Sequence, residues 1–248
     1  MLTFTQKHTE MSSIFVLDAG NTSIKVAQFQ DDNLIALNRF TSFEEVLNFL
    51  PKNVVLVVSS VVNPDLVKIF ERDFKLFVIN SEWTLPFSNL YSTPKTLGID
   101  RLCNVAGMYS LQKLGNRLCV DIGTCIKFDF LNDQNEYVGG SISPGARLRF
   151  QALNDYTARL PLVEIEATQQ LFGDSSVSAI RVGVMMGIFA EVKQMIALYE
   201  EKFGEISVFL TGGDSVYFDF ENKNNIFAAE NLTLIGIFEL YKQNASHL

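Results

Sequence analysis

The chain has 248 residues and a formal net charge of -8; 48% are hydrophobic and 19% charged, with 21 Phe, three Cys and two His. That length and apolar content can fill the core of one large domain or of two of about 100 to 130 residues, and they exclude wholesale disorder. The acidic balance argues against the clustered basic face of a nucleic-acid binder, and the longest apolar stretches, Val54 to Val58 and Val182 to Ala190, fall short of the roughly 20 residues of a membrane helix, so neither partner is expected.

The only histidines, His8 and His247, lie in terminal segments. A Ser-His-Asp triad, an H-E-x-x-H zinc site or a histidine base is therefore not expected, and carboxylates must do any proton chemistry. Cys103, Cys119 and Cys125 are odd in number and lack C-x-x-C spacing, which suits buried thiols in a reducing cytoplasm. The run Ile14 to Leu17 is too short for an export signal, and Met11 is a second candidate start.

The elements fall into two halves. Ile14 to Phe29 echoes Leu118 to Phe130: each is an apolar strand, then Asp-x-Gly with Thr soon after, then a strand carrying Ile-Lys. The echo predicts a duplicated hairpin, with further turns at Asp32-Asn33 and Asp133 to Asn135. Ser42 with Glu45 opens a helix through Leu50; a buried strand is expected over Val54 to Val62, a helix over Pro64 to Asp73 and a strand over Leu76 to Ile79. Apolar spacing predicts a helix from Asp100 to Leu114, ended by Gly115, and a long helix from Ser176 to Glu201 whose Gly183 and Gly187 would allow another helix to approach. A strand over Ile206 to Leu210 and a closing helix over Leu232 to Tyr241 complete the chain. The expected architecture is α/β, two similar halves (12–115 and 116–248) with a cleft between them.

Three stretches carry chemistry. Asp18-Ala-Gly-Asn-Thr22, with Lys25, offers backbone N–H groups, hydroxyls, a charge and a carboxylate able to hold a hydrated divalent cation; alone it reads equally well as an ordinary Asp-Gly hairpin turn. The second copy, Asp121-Ile-Gly-Thr124, favours a phosphate cradle. Gly98-Ile-Asp-Arg101 is either a capped helix start or a base, Asp100, beside an anion-binding Arg101. Thr211-Gly-Gly-Asp214 alone is a two-glycine turn; in the second half of a duplicated kinase-like fold it is where adenosine would lie.

Asp18 to Lys25, Gly98 to Arg101, Asp121 to Thr124, Gly139-Gly-Ser-Ile-Ser-Pro-Gly145, Thr157-Ala-Arg-Leu-Pro161 and Leu210 to Asp214, in that order, resemble the type III pantothenate kinases. The resemblance implies a duplicated actin-like (ribonuclease H-like) fold of the acetate and sugar kinase, Hsp70 and actin superfamily, acting as a cytoplasmic homodimer. The implied reaction is ATP-dependent phosphorylation of pantothenate to 4′-phosphopantothenate, the first step of coenzyme A synthesis. It implies that Asp18, Ala19, Gly20, Asn21, Thr22, Ser23, Ile24 and Lys25 bind ATP phosphates, with Asp18 near Mg2+, and that Thr124, Gly212 and Gly213 also touch ATP. Asp100 is implied as proton acceptor, with Tyr91, Gly98, Ile99, Arg101 and Ser176 at the substrate; Asp121 is implied to bind an activating K+ or NH4+. Cys125, Ser176, Arg181 and Val182 depart from the family pattern, Ser176 standing where a substrate-binding threonine is usual. Another small-molecule kinase of the superfamily and a nucleotide-binding regulator without turnover are the alternatives.

Overall fold

A computed structural model describes residues 13–20, 23–59, 64–220 and 225–246. The chain forms two compact units, Met1–Thr84 with Ile237–Leu248, and Leu85–Gly236. The sequence echo begins near residues 14 and 118, whereas packing divides the chain after Thr84 and returns its last residues to the first unit.

The first unit is a five-stranded sheet in the order β3-β2-β1-β4-β5, built from β1 (Ile14–Ala19), β2 (Ile24–Gln30), β3 (Asn33–Phe40), β4 (Val55–Val58) and β5 (Lys75–Val78). The first three strands are an antiparallel meander; β4 runs parallel to β1, and β5 parallel to β4. Asp31 and Asp32, at φ 47° and 65°, make the tight turn between β2 and β3, with the local twist that favours such two-residue turns. Helix α1 (Phe43–Phe49) starts as its sequence signals: the Ser42 hydroxyl accepts the Glu45 N–H at 3.3 Å, while the Glu45 carboxylate accepts the Thr41 N–H at 2.8 Å. Helix α2 spans Pro64–Asp73. The expected strand over 54–62 is shorter, and 60–63 lie outside the described residues. The alternating inward residues Phe15, Leu17, Val26, Leu56 and Val58 meet Val46, Phe70 and Phe74 of the helices and their ends in one core.

The second unit repeats that order. Its sheet runs β11-β10-β7-β8-β9-β6, from β6 (Ser88–Asn89), β7 (Asn116–Ile122), β8 (Cys125–Leu131), β9 (Glu136–Pro144), β10 (Ile206–Thr211) and β11 (Ile226–Ala228). Again a meander, β7-β8-β9, is extended by two parallel strands on the far side of its first member. Helices α3 (Ile99–Leu111), α4 (Ala146–Asp155) and α5 (Ser176–Phe203) belong to this unit, and α6 (Leu232–Asn244) begins in it and ends in the first.

α5 is long and apolar enough by composition to cross a membrane, but Ile180, Val184, Met185, Ile188, Val192 and Ile196 are packed in the core with β7, β8 and β10, as in the central helix of a globular unit. The close helix approach expected at its glycines is absent: a Cβ at Gly183 would meet no atom within 4 Å, and one at Gly187 would meet only Arg149 Nη1, at 3.9 Å. It occurs instead where α3 crosses the start of α6. There a Cβ at Gly236 would stand 1.6 Å from the Cys103 carbonyl oxygen, so only glycine fits. Helix α3 also ends three residues before Leu114, because the buried Arg117 takes the Gln112 carbonyl at 2.7 Å; Gly115, at φ 83°, serves the turn into β7.

Candidate active site

The two hairpins place an acid opposite a lysine in the same way. Asp18 pairs with Lys25 across β1 and β2, and Asp121 with Lys127 across β7 and β8. Directly opposed residues of an antiparallel ladder project from the same face, so the Ile-Lys echo brings a cation to each Asp-x-Gly. The turns are tied alike: Gly20 N–H donates to Ser23 O and Gly123 N–H to Cys125 O, each at 3.1 Å. In the first hairpin the Ser59 hydroxyl donates to Asp18 Oδ1 at 3.2 Å; Ala19 ends β1, Ser23 precedes β2, Ile24 opens it, and Asn21 and Thr22 lie outside the described residues. A partly exposed carboxylate beside a glycine turn suits Mg2+, which usually takes one or two protein carboxylates and otherwise phosphate and water.

In the second unit the start of α3 meets the second hairpin. Gly98 is the N-cap of α3, so Asp100 stands in the first turn, where the helix dipole favours a negative charge. Lys127 Nζ lies 2.7 Å from Asp100 Oδ2 and 2.7 Å from Asp121 Oδ2. The Asn104 amide donates to the same Asp121 oxygen at 3.2 Å and accepts, through its own oxygen, the Thr233 hydroxyl at 2.7 Å. Burial alone would lower the Lys127 pKa; the facing Asp121 and Asp100 outweigh it and hold the ammonium charged well above the usual lysine range. Asp100 is half-exposed, and its Oδ1 occupies the space that a side chain at residue 98 would need: a Cβ there would stand 2.5 Å away.

Beside this cluster lies an aromatic and ionic stack. Tyr91 lies 5.5 Å from the Arg101 guanidinium and stacks on Tyr137 with centroids 6.0 Å apart. Arg101, expected to present its fork to an anion, is instead 5% exposed: its Nε and Nη2 donate to Asp129 Oδ1 at 2.9 and 2.7 Å, and the Tyr137 hydroxyl donates to that oxygen at 2.7 Å. Burial pushes the Asp129 carboxyl up against the pull of Arg101 and Tyr137, and burial with Asp129 pushes the Tyr137 hydroxyl up. The double glycine of β9 lies against the stack: Gly139, at φ 126°, would carry a Cβ in ordinary contact with the Tyr91 ring at 3.6 Å, and a Cβ at Gly140 would stand 1.6 Å from the Phe128 carbonyl oxygen and 3.1 Å from Arg101 Nη2.

Thr211 pairs with Asp121 at the ends of the parallel strands β10 and β7, the edge where open α/β sheets bind ligands. Gly212, at φ 95°, turns the chain so close that a Cβ would stand 2.2 Å from the Ile122 oxygen, and the Asp214 N–H then donates to that oxygen at 2.9 Å. Burial pushes the Asp214 carboxyl up, Arg147 opposing and Asp121 adding to the shift. Thr124 sits in the hairpin turn, its carbonyl accepting the Gly145 N–H at 3.0 Å. Val216 to Asp219, just after the glycine turn, line a cavity of about 720 Å³ with Ala167 to Gln169, Met185, Met186 and Phe189. Asp100, Asp121 and Lys127 are not among its lining residues. Ser176 opens α5 and is exposed, without a hydrogen bond to the Tyr91 and Arg101 stack; Arg181 pairs with Glu166 at 3.1 Å.

Residues 14–198 match the sequence profile of type III pantothenate kinase. The chain belongs to the type III pantothenate kinase family. A type III pantothenate kinase of Flavobacterium johnsoniae is 38% identical over 237 residues, covering 92% of this chain and 97% of its own, and one of Christiangramia forsetii is 38% identical over 230, covering 90% and 95%. Solved structures share the actin-like kinase fold at low identity. A candidate Baf family transcriptional activator of Campylobacter jejuni aligns with TM-score 0.63 at 19% identity over 94% of this chain and all of its own. A candidate 2-dehydro-3-deoxygalactonokinase of Sinorhizobium meliloti aligns at 0.54 and 14% over 94% and 99%.

In this kinase family member, sequence reasoning had singled out Asp100 and Asp121 but not the Lys127, Asn104, Asp129 and Tyr137 that hold the site together. The repeated Ile-Lys was the available signal for Lys127. The K+ or NH4+ expected at Asp121 does not fit at its Oδ2, where an ammonium and an amide N–H already point. A second cation about 4 Å from that ammonium would be repelled by about 4 kcal/mol at an effective dielectric constant near 20.

Proposed function

We propose that this chain transfers the γ-phosphoryl group of ATP to the primary hydroxyl of pantothenate, with Asp100 as the proton acceptor. The observation that carries the assignment is the carboxylate of Asp100, held by Lys127 through Oδ2 while Oδ1 stands clear over Gly98, on the segment next to Tyr91. The substrate oxygen forms a bond to the γ-phosphorus, the bond to the ADP leaving oxygen breaks, and the hydroxyl proton passes to Asp100. A general base contributes about 100- to 10,000-fold, and positioning and charge neutralisation supply much of the rest.

Asp18 to Lys25 take the phosphates, with Asp18 holding Mg2+, which supplies charge neutralisation to the transferring group when bound. Thr124 touches ATP, and Gly212 and Gly213 pass under the adenosine; the thioether and aromatic lining of the cavity after that turn suits a flat base. Tyr91, Gly98, Ile99 and Ser176 contact pantothenate. Arg101, with two of its donors engaged by Asp129, shapes that pocket by supporting Tyr91. A cytoplasmic homodimer accords with Cys103, Cys119 and Cys125 being thiols outside any disulfide and with the strongly exposed Tyr156, Leu171 and Phe172.

The test is ATP-dependent formation of 4′-phosphopantothenate by the full chain with Mg2+; no product under any salt condition would refute the reaction. Asp100→Asn abolishes turnover and leaves nucleotide binding intact, and retained turnover would remove Asp100 from the base role.

A further inference from the structure

We propose that Lys127 is the resident cation of this site, its ammonium standing beside Asp121 where a soluble monovalent cation would otherwise be needed, so that turnover has no requirement for K+ or NH4+. The inference rests on the reading of Asp100 as the base.

Three elements converge on one charge. Asp100 comes from α3, Asp121 from the end of β7, and Lys127 from β8 opposite Asp121 in register. The ammonium donates to both carboxylates at 2.7 Å, neutralising like charges that would otherwise repel each other and fixing the Asp100 oxygen that does not face the acceptor. Its side chain is only 17% exposed, so bulk salt screens it little. The second donor at Asp121 Oδ2 also disfavours a metal-like cation at that oxygen. The Asn104 oxygen is taken by the Thr233 hydroxyl, which turns the amide N–H toward Asp121, and a cation site needs oxygens there. Because the lysine is covalently part of β8, its charge is present at every salt concentration. Lys127 is thus a positioning residue acting through Asp100.

The experiment uses the full chain. Wild-type turnover is the same within about twofold in K+, NH4+ and tetramethylammonium salts at matched ionic strength. Crystals soaked in Tl+, an anomalous scatterer that replaces K+, show no peak at Asp121. Lys127→Ala loses about 100-fold in kcat through the misplaced base, regains part of it with NH4+ or methylammonium, and binds Tl+ at Asp121. Lys127→Met keeps the bulk without the charge, loses as much, and is not rescued; a purely structural lysine would give the opposite order, with Met tolerated.

A wild-type requirement for K+ or NH4+, or a wild-type Tl+ peak at Asp121, overturns the proposal while leaving the kinase assignment intact. So does a Lys127→Ala variant that is fully active, or one that is impaired and answers to no cation. If wild type makes no product in any salt, the reaction itself is wrong, and the proposal, which rests on it, falls with it. If neither variant folds, the wild-type salt series and Tl+ soak still decide.

Discussion

Replacing Asp129 by Asn tests whether the buried ion pair organises the substrate segment. Asp129 is fully buried, Arg101 is 5% exposed, and Asp129 Oδ1 receives two Arg101 donors and the Tyr137 hydroxyl. Asparagine keeps an acceptor oxygen but removes the charge, so Arg101 becomes an uncompensated buried cation. Breaking a buried pair from one side costs about 3–5 kcal/mol, and the retained acceptor places this change near 3. For a unit of this size about 1 kcal/mol moves the midpoint by roughly 2–4 °C, so calorimetry should show a fall of about 6–12 °C. Because Tyr91 lies over Arg101 and stacks on Tyr137, the KM for pantothenate should rise about tenfold with a smaller change in kcat. Arg101→Met combined with Asp129→Leu and Tyr137→Phe should recover stability, since an apolar cluster leaves no charge or hydroxyl unpaired, but not the KM. A midpoint within about 2 °C of wild type for Asp129→Asn would refute the reasoning.

Gly98→Ala puts a Cβ where Asp100 Oδ1 stands; kcat should fall about 100-fold with nucleotide affinity unchanged, measured by steady-state kinetics and calorimetric titration. Gly212→Ala forces a side chain into positive φ and against the Ile122 oxygen, so it should cost about 2 kcal/mol or more in denaturant unfolding and weaken ATP binding. The raised Asp214 pKa means that the folded state holds its proton more tightly than the unfolded chain does. Stability therefore falls as pH rises from the ordinary carboxylate pKa through the folded one, and Asp214→Asn should be the more stable protein at neutral pH, with the difference vanishing in acid. Thermal midpoints across the acid range check the sign.

The order and type of most elements were legible in the chain because their causes are local; the short edge strands β6 and β11 were not, since they are defined by pairing with distant strands. Alternating apolar residues and Asp-rich turns specify the two meanders, Ser42 with Glu45 specifies the start of α1, and the repeated Asp-x-Gly with Ile-Lys specifies that the hairpin occurs twice. The family motifs likewise pointed to Asp18, Asp100, Asp121 and the glycine turn as candidate site residues.

Other features depended on which faces meet. Arg101 and Arg117 are residues that composition places on a surface, yet both are buried, because the Asp129 carboxylate on β8 receives Arg101 while the carbonyls of Gln112, at the end of α3, and Asn132, between β8 and β9, receive Arg117. Gly107 and Gly236 rather than Gly183 and Gly187 permit the close helix crossing, since helix contact depends on the packing of α6 and not on small residues alone. Lys127 was visible as half of a repeat, but its role was not: an ammonium between two acids needs β8, β7 and the first turn of α3 in one place. The sequence by itself determined a duplicated sheet carrying acids at its turns. Only the tertiary structure decided that one ammonium, Lys127, lies between Asp121 and Asp100, because that is set by distances between residues far apart in the chain.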